Sequence, residues 1–213
     1  MRFLTANILS FICLAIMIAV AILLYPSLPE TLPTQYGIDG IGRNQLPKIF
    51  VILIMPLAYA ASIVAINVMI HFSPDKFSMP NSKRAMDIIV FGVGLLLLAA
   101  HVGIMRGAED PQIFQQYFSI GLALFLLITG NVLGKTERNF FIGIRLPWTI
   151  ASMENWRATH RFAGRLMVGS GLLLLVTSYL IPSLLVTLIL GLNWAVLAVV
   201  YSFLFYLKNE RAG

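Results

Sequence analysis

Six stretches of this chain are apolar for long enough to cross a lipid bilayer, which decides what it can fold into. They fall at about 4–25, 47–71, 86–105, 113–134, 163–181 and 184–207, each near the ~20 residues that span the hydrocarbon as a helix. With no water in the bilayer core, every backbone N–H and C=O must be satisfied internally, and for segments of this length that means α-helix. The chain is 59% hydrophobic and only 11% charged, far from the ~25% charged composition of soluble domains. The expected fold is an all-α polytopic membrane protein with six transmembrane helices.

Orientation follows from where the basic residues gather. With the N-terminus in the cytoplasm, Arg2, Lys76, Lys83, Arg84, Lys135, Arg138, Arg145, Arg157, Arg161, Arg165, Lys208 and Arg211 fall inside, and Arg43, Lys48 and Arg106 outside. That asymmetry predicts cytoplasmic N- and C-termini. It also accounts for the net charge of +6 without direct nucleic-acid binding. The start, Met1-Arg2-Phe3 before an apolar run to Tyr25, resembles a signal peptide. The run is too long for a cleaved core and no small-x-small site precedes Pro26, so it reads as an uncleaved first span. The single cysteine, Cys13, lies inside that span and reads as a small packing residue.

One integral membrane domain is expected, in three parts: 1–72 with spans one and two, 73–134 with spans three and four, and 135–213 with a polar segment and spans five and six. Pro47 suits the first turn of span two, Pro56 should kink it, and Asp87 should open span three. Ile181-Pro182-Ser183 leaves so little loop that spans five and six must form an antiparallel hairpin.

Most of the usual chemistry is missing. All nine acids lie in loops or at span ends, so no carboxylate sits at mid-membrane depth, where ion-coupled carriers usually keep one. No His-Glu-x-x-His, Gly-x-Ser-x-Gly or phosphate-binding glycine loop occurs, and neither a cofactor nor a metal site is expected. His101, in span three, and the amides Asn67 and Asn193 are expected to hydrogen-bond neighbouring helices. His71 sits at the inner end of span two. Asn131 borders the polar segment and is a candidate for binding.

Two connections are long enough to hold structure. In the outer one, Pro26, Pro29 and Pro33 enforce extended backbone, while Gly37, Gly40 and Gly42 permit turns. A compact cap is expected, either a rigid hairpin or a ligand-contacting lid, with Pro29, Pro33, Thr34, Tyr36 and Gly40 as candidates. The inner segment, 135–162, concentrates Lys135, Arg138, Arg145, Arg157 and Arg161 with Trp148 and Trp156. Its first half, interrupted by Gly143 and Pro147, suits a stretch packed against the bundle. Ser152 should cap a helix from near Met153, with Glu154 in its first turn, running unbroken into span five. On that helix Arg157, Arg161 and Arg165 recur every four residues as a basic stripe, and Trp156 and His160 align on a second face that points to the interior. The stripe suits anionic lipid phosphates or an acidic partner.

Phe141-Ile-Gly-Ile-Arg-Leu-Pro-Trp-Thr149, followed by Glu154-Asn-Trp-Arg-Ala-Thr-His-Arg-Phe-Ala-Gly164, resembles the signature of the bacterial Sdp immunity (SdpI) family. Gly130-Asn131 is similar to that family's Gly-Asn run. The outer loop, Leu28-Pro-Glu-Thr-Leu-Pro-Thr34, resembles a Leu-Pro-x-x-Ile-Pro-Thr-His-Trp-Asn loop found in such proteins. Here Gln35, Tyr36 and Gly37 replace the His, Trp and Asn, so no role for that histidine transfers. The resemblance implies a multi-pass protein of the bacterial cytoplasmic membrane that protects against a secreted peptide toxin without catalysis. It also implies that a cytoplasmic repressor protein can be held at the membrane. Pro147, Trp148, Trp156, Thr159, His160 and Arg161 match position by position. Two other readings stay open: a lipid-headgroup-handling enzyme or transporter using Arg145, Trp156, His160 and Arg161, and a scaffold with no small ligand.

Overall fold

The computed structural model describes residues 7–71, 80–108, 110–139 and 142–209. Residues 4–6 of the first apolar run, Lys76, Glu109, Arg211 and the motif residues Phe140 and Phe141 lie outside the described residues. Six long helices carry the chain: α1 (Ile8–Leu24), α2 (Lys48–His71), α3 (Pro80–Arg106), α4 (Pro111–Leu133), α6 (Met153–Leu180) and α7 (Leu184–Asn209). All six are long and apolar enough to cross a membrane. A short helix, α5 (Pro147–Ala151), precedes α6.

The ends depart from the sequence expectation in physically simple ways. Pro47 closes a strand and Lys48 opens α2, so the proline sits just outside the helix. Pro56 lies inside α2 as expected. Helix α3 begins at Pro80, which places Asp87 in its second turn instead of opening it; the polar Ser82, Lys83 and Arg84 are helical although they are not apolar. Helix α4 begins with Asp110 as its cap, the carboxylate accepting from the Gln112 N–H, and Pro111 in its first turn. That combination satisfies an orphan amide and uses proline where it has no bond to lose.

The outer connection forms a β-hairpin. After a 3₁₀ turn at Tyr25–Ser27, β1 (Thr31–Tyr36) pairs antiparallel with β2 (Gly42–Pro47). Asn44 adopts φ +52° opposite the unpaired Thr34, whose hydroxyl donates to the Asn44 carbonyl at 2.7 Å. Leu32 is fully buried in a cluster with Leu28, Val51, Ile104 and Phe114, so the hairpin is seated on the bundle.

Helix α4 packs extensively on α3 and α6, while α1 and α2 cover α3 and α7 covers α6. Where α4 meets α6, the backbones touch at Gly130 and Gly164. A Cβ at Gly130 would lie 2.7 Å from the Gly164 carbonyl oxygen, and one at Gly164 2.6 Å from the Gly130 oxygen. In lipid, where the hydrophobic effect does not drive helices together, such close approach of small residues maximises packing. Ala123, Ala163 and Met167 continue the seam.

Gly130→Ala or Gly164→Ala should therefore destabilise the bundle by about 1–3 kcal/mol, the usual cost of forced overpacking. Gly169→Ala, where an added Cβ meets nothing within 4 Å, should leave stability unchanged or raised. Thermal unfolding of the three variants in one detergent is the check.

Candidate functional site

The polar segment between α4 and α6 is ordered by hydrogen bonds to its own backbone. The Ser152 hydroxyl accepts from the Asn155 N–H at 3.2 Å and caps α6, with Glu154 in the first turn. Thr149 Oγ1 accepts from the Leu146 N–H at 2.9 Å and donates to the Ile144 carbonyl at 2.7 Å. Arg138 donates to the carbonyls of Ile150 and Ala151 at 2.8 and 3.3 Å, a cation at the C-terminal end of α5. Asn139 closes a local turn by accepting from the Ile142 N–H at 2.8 Å. Ser82 at the start of α3 accepts from the Glu137 N–H at 3.2 Å and ties the segment to the neighbouring helix.

Two tryptophans fasten the segment from opposite sides. Trp156 is 0% exposed; its indole N–H donates to the Thr136 carbonyl at 3.0 Å, and its ring stacks on His160 with centroids 4.0 Å apart. Trp148 packs on Phe203 and Tyr206 of α7 and donates to the Ser202 hydroxyl at 3.0 Å. Asn155 donates to the Ser202 carbonyl and accepts from Thr159. The α5–α6 corner is thus bonded to α7 at two neighbouring points.

His160, 0% exposed, has a proton position set by its partners. Nδ1 lies 2.7 Å from the Trp156 carbonyl, which can only accept, so Nδ1 carries the hydrogen. Nε2 is then the acceptor, and it receives the Ile144 N–H at 2.9 Å. Gly143 makes this approach possible: its φ is +116°, and a Cβ there would stand 2.2 Å from His160 Nε2. His160 is thus buried with both ring nitrogens in bonds to backbone groups.

The structure separates the candidates into two groups. Trp156, Thr159 and His160 are buried and Trp148 is half-buried, whereas Asn131, Arg145, Pro147, Arg157, Arg161 and Arg165 are exposed. The expected inward Trp–His face and outward arginine stripe are both present on α6. None of Arg157, Arg161 and Arg165 forms an ion pair with a described residue. Among the described residues, no group of three or more His, Cys, Asp or Glu comes together that could hold a metal ion. Thr136, Gly143, Thr149, Asn155 and Ser202 complete the site without having been singled out as site residues. Gly143, Thr149 and Asn155 lie within the motif, but Thr136 and Ser202 carry no sequence signal, since their part is to offer a backbone carbonyl or a hydroxyl.

At the other end of the bundle, the hairpin residues also separate. Pro33 is buried and Pro29 exposed. The Tyr36 ring stacks on Phe114 at 3.4 Å, and burial pushes its hydroxyl pKa up to about 12. Gly40, at φ +79°, abuts Gln115, which donates to the Asp39 carbonyl at 3.4 Å. His101 is buried within α3, with Nε2 lacking a partner among the described residues. Asn67 bonds Asn7, and Asn193 accepts from Ser170, the helix-bridging roles expected of them.

Fold and site together define a six-span helical membrane protein with a seated hairpin at one end and a locked basic segment at the other. A family model described as the SdpI/YfhL protein family matches residues 135–202, which is the polar segment with α6 and most of α7. A second, a domain of unknown function (DUF1648), matches residues 12–59 and so covers the hairpin and its flanks. The chain is 26% identical over 207 residues to "Immunity protein SdpI" of Bacillus subtilis (strain 168), covering 95% of this chain and 96% of that protein. No solved structure matches the chain. Residues 135–202 thus carry a region like that of the SdpI/YfhL family, and the chain is a multi-pass protein of the bacterial cytoplasmic membrane.

Two outcomes follow from the geometry. Gly143→Ala and His160→Phe should each free the segment, because a clash or an orphaned buried N–H costs about 1–3 kcal/mol and raises local opening roughly tenfold or more. Trypsin cleavage after Arg138 and Arg145 should accelerate accordingly, and Arg157→Gln should not change it. In the hairpin, the Ile41 N–H and then Arg43 hold the Asp39 carboxyl below its ordinary range. A lowered carboxyl value stabilises above the unfolded value and loses that contribution as pH falls through the folded one. Corrected for the chemical pH dependence of amide exchange, protection across 31–47 should therefore fall on acidification in the wild type, converge with Asp39→Asn below about pH 3, and vary less with pH in the variant.

Proposed function

We propose that this protein confers immunity to a secreted, membrane-active peptide, acting by binding rather than catalysis. The support is the 26% identity to an immunity protein along 95% of the chain, together with a site built from fasteners. Its buried histidine has both nitrogens in structural bonds, which leaves that side chain no free nitrogen for acid–base work. In this reading both termini and the polar segment face the cytoplasm, and the hairpin faces the exterior, where the toxin arrives.

The toxin is engaged at the hairpin or among the spans, and the exposed residues of the segment, Asn131, Arg145, Pro147, Arg157, Arg161 and Arg165, answer on the cytoplasmic side. A repressor held at that surface would couple immunity to gene expression. For a signal to pass, the peptide must bind one arrangement of the bundle more tightly than another, because equal affinity shifts nothing. Expression in a sensitive bacterial host, challenged with a panel of secreted peptides, should raise survival above empty vector. Survival equal to vector across the panel overturns the immunity reading, and labelling of cysteines introduced at positions 38 and 145 from opposite sides of the membrane tests the orientation.

A further inference from the structure

The exposed face of α6 changes character along its length. In helical projection Arg157, Arg161, Arg165, Gly169, Leu172 and Val176 fall within about 120° of arc, and each four-residue step climbs about 6 Å. The first three are exposed cations without ion-pair partners among the described residues. Gly169 leaves open space where a side chain would stand, and Leu172 and Val176 are 55% and 56% exposed. The face therefore presents charge, then open surface at Gly169, then apolar side chains.

Depth agrees with that order. Helix α6 has 28 residues, about 42 Å, against roughly 30 Å of hydrocarbon. Counting back about 20 residues from Leu180 places the boundary near Arg161, so the three arginines straddle the phosphate level. They line a groove of about 410 Å³, walled by Phe162 and Tyr201, whose rings stack at 4.4 Å; Glu154 at its rim is its one acid. A second groove, of about 340 Å³ and lined by Lys135, Arg138 and the acid Glu137, also borders Arg157 and Arg161. The ridge is held in position from behind, because Trp156 and His160 on the same helix turns are locked into the segment.

We propose that this stripe is a seat for one anionic phospholipid, its phosphate on Arg157, Arg161 and Arg165 and an acyl chain running over the open surface at Gly169 and along Leu172 and Val176. An acidic peptide or free phosphate uses the arginines but has no use for the apolar run below them. The seat is independent of immunity, since it is read on purified protein without toxin.

The test is lipid retention by the full chain. Protein taken through detergent should be exchanged into nanodiscs of phosphatidylcholine doped with phosphatidylglycerol or diphosphatidylglycerol, and the lipid kept on re-extraction counted by native mass spectrometry. Anionic lipid should be retained over phosphatidylcholine by about tenfold or more, given the roughly tenfold weight of each 1.4 kcal/mol and the contribution of each basic residue near the surface. Arg157→Gln/Arg161→Gln/Arg165→Gln should abolish the preference, with Arg161→Gln as the milder variant if the triple one fails to fold. Gly169→Phe, which leaves charge intact, should also lower retention. The proposal is overturned by equal retention of neutral and anionic lipid, by charge variants that keep wild-type retention, by wild-type retention in Gly169→Phe, or by inorganic phosphate displacing the lipid.

Discussion

The mutual approach of Gly130 and Gly164 is the constraint on which the site depends. Because neither carries a side chain, α4 and α6 meet backbone to backbone near the end of α4, and the chain leaving α4 emerges against α6. That proximity lets the Trp156 indole reach the Thr136 carbonyl and brings Ile144 back onto His160. A larger residue at either glycine would separate the helices, and the segment would lose the surface it folds on. In a medium that gives no hydrophobic reward for helix association, a crossing this close also recovers dispersion contacts that lipid would otherwise supply.

The segment resolves a general difficulty of membrane proteins, irregular backbone beside hydrocarbon. Its amides and carbonyls cannot be left unpaired where water is scarce, and nearly every polar side chain in it serves that need. Thr149, Asn139, Ser152 and Arg138 each take a backbone group as partner, and His160 does so with both nitrogens. The density of polar and aromatic residues that marks this stretch in the sequence is thus largely a folding requirement. What is left over, exposed and uncommitted, is the row of arginines on the opposite face of α6.

The spans were legible because length and apolarity are sufficient in lipid: all six are present, and Ser152 caps α6 where the residue pattern places it. Helix ends were less so. Polar residues such as Ser82 and Arg84 extend α3 past its apolar run, since a helix can continue into the headgroup region at no cost in backbone bonds. The four-residue spacings on α6 gave both faces of the helix, one inward and one outward, as the structure has them. The partners of Trp156 and Trp148 were not legible, because a backbone carbonyl at Thr136 and a hydroxyl at Ser202 become partners only through tertiary proximity. The hairpin's extended character was visible in its prolines. Its seat on Phe114 and Gln115 was not, as nothing in those residues distinguishes them from others on α4.

That seat matters for how the two ends of the molecule are related. Helix α4 holds the hairpin at its start, through Phe114 and Gln115, and reaches the α6 crossing at Gly130, some 16 residues or about 24 Å further on. A displacement of the hairpin by a bound peptide therefore meets α4 directly. At its far end α4 meets α6 backbone to backbone at Gly130 and Gly164. Packed contacts of this kind shift between discrete arrangements or not at all. Contiguity supplies a route, and the route carries a signal only if the peptide favours one α4 arrangement over the other. The segment end would register such a shift first at Thr136 and Trp156, which join the chain leaving α4 to the helix that carries the arginines.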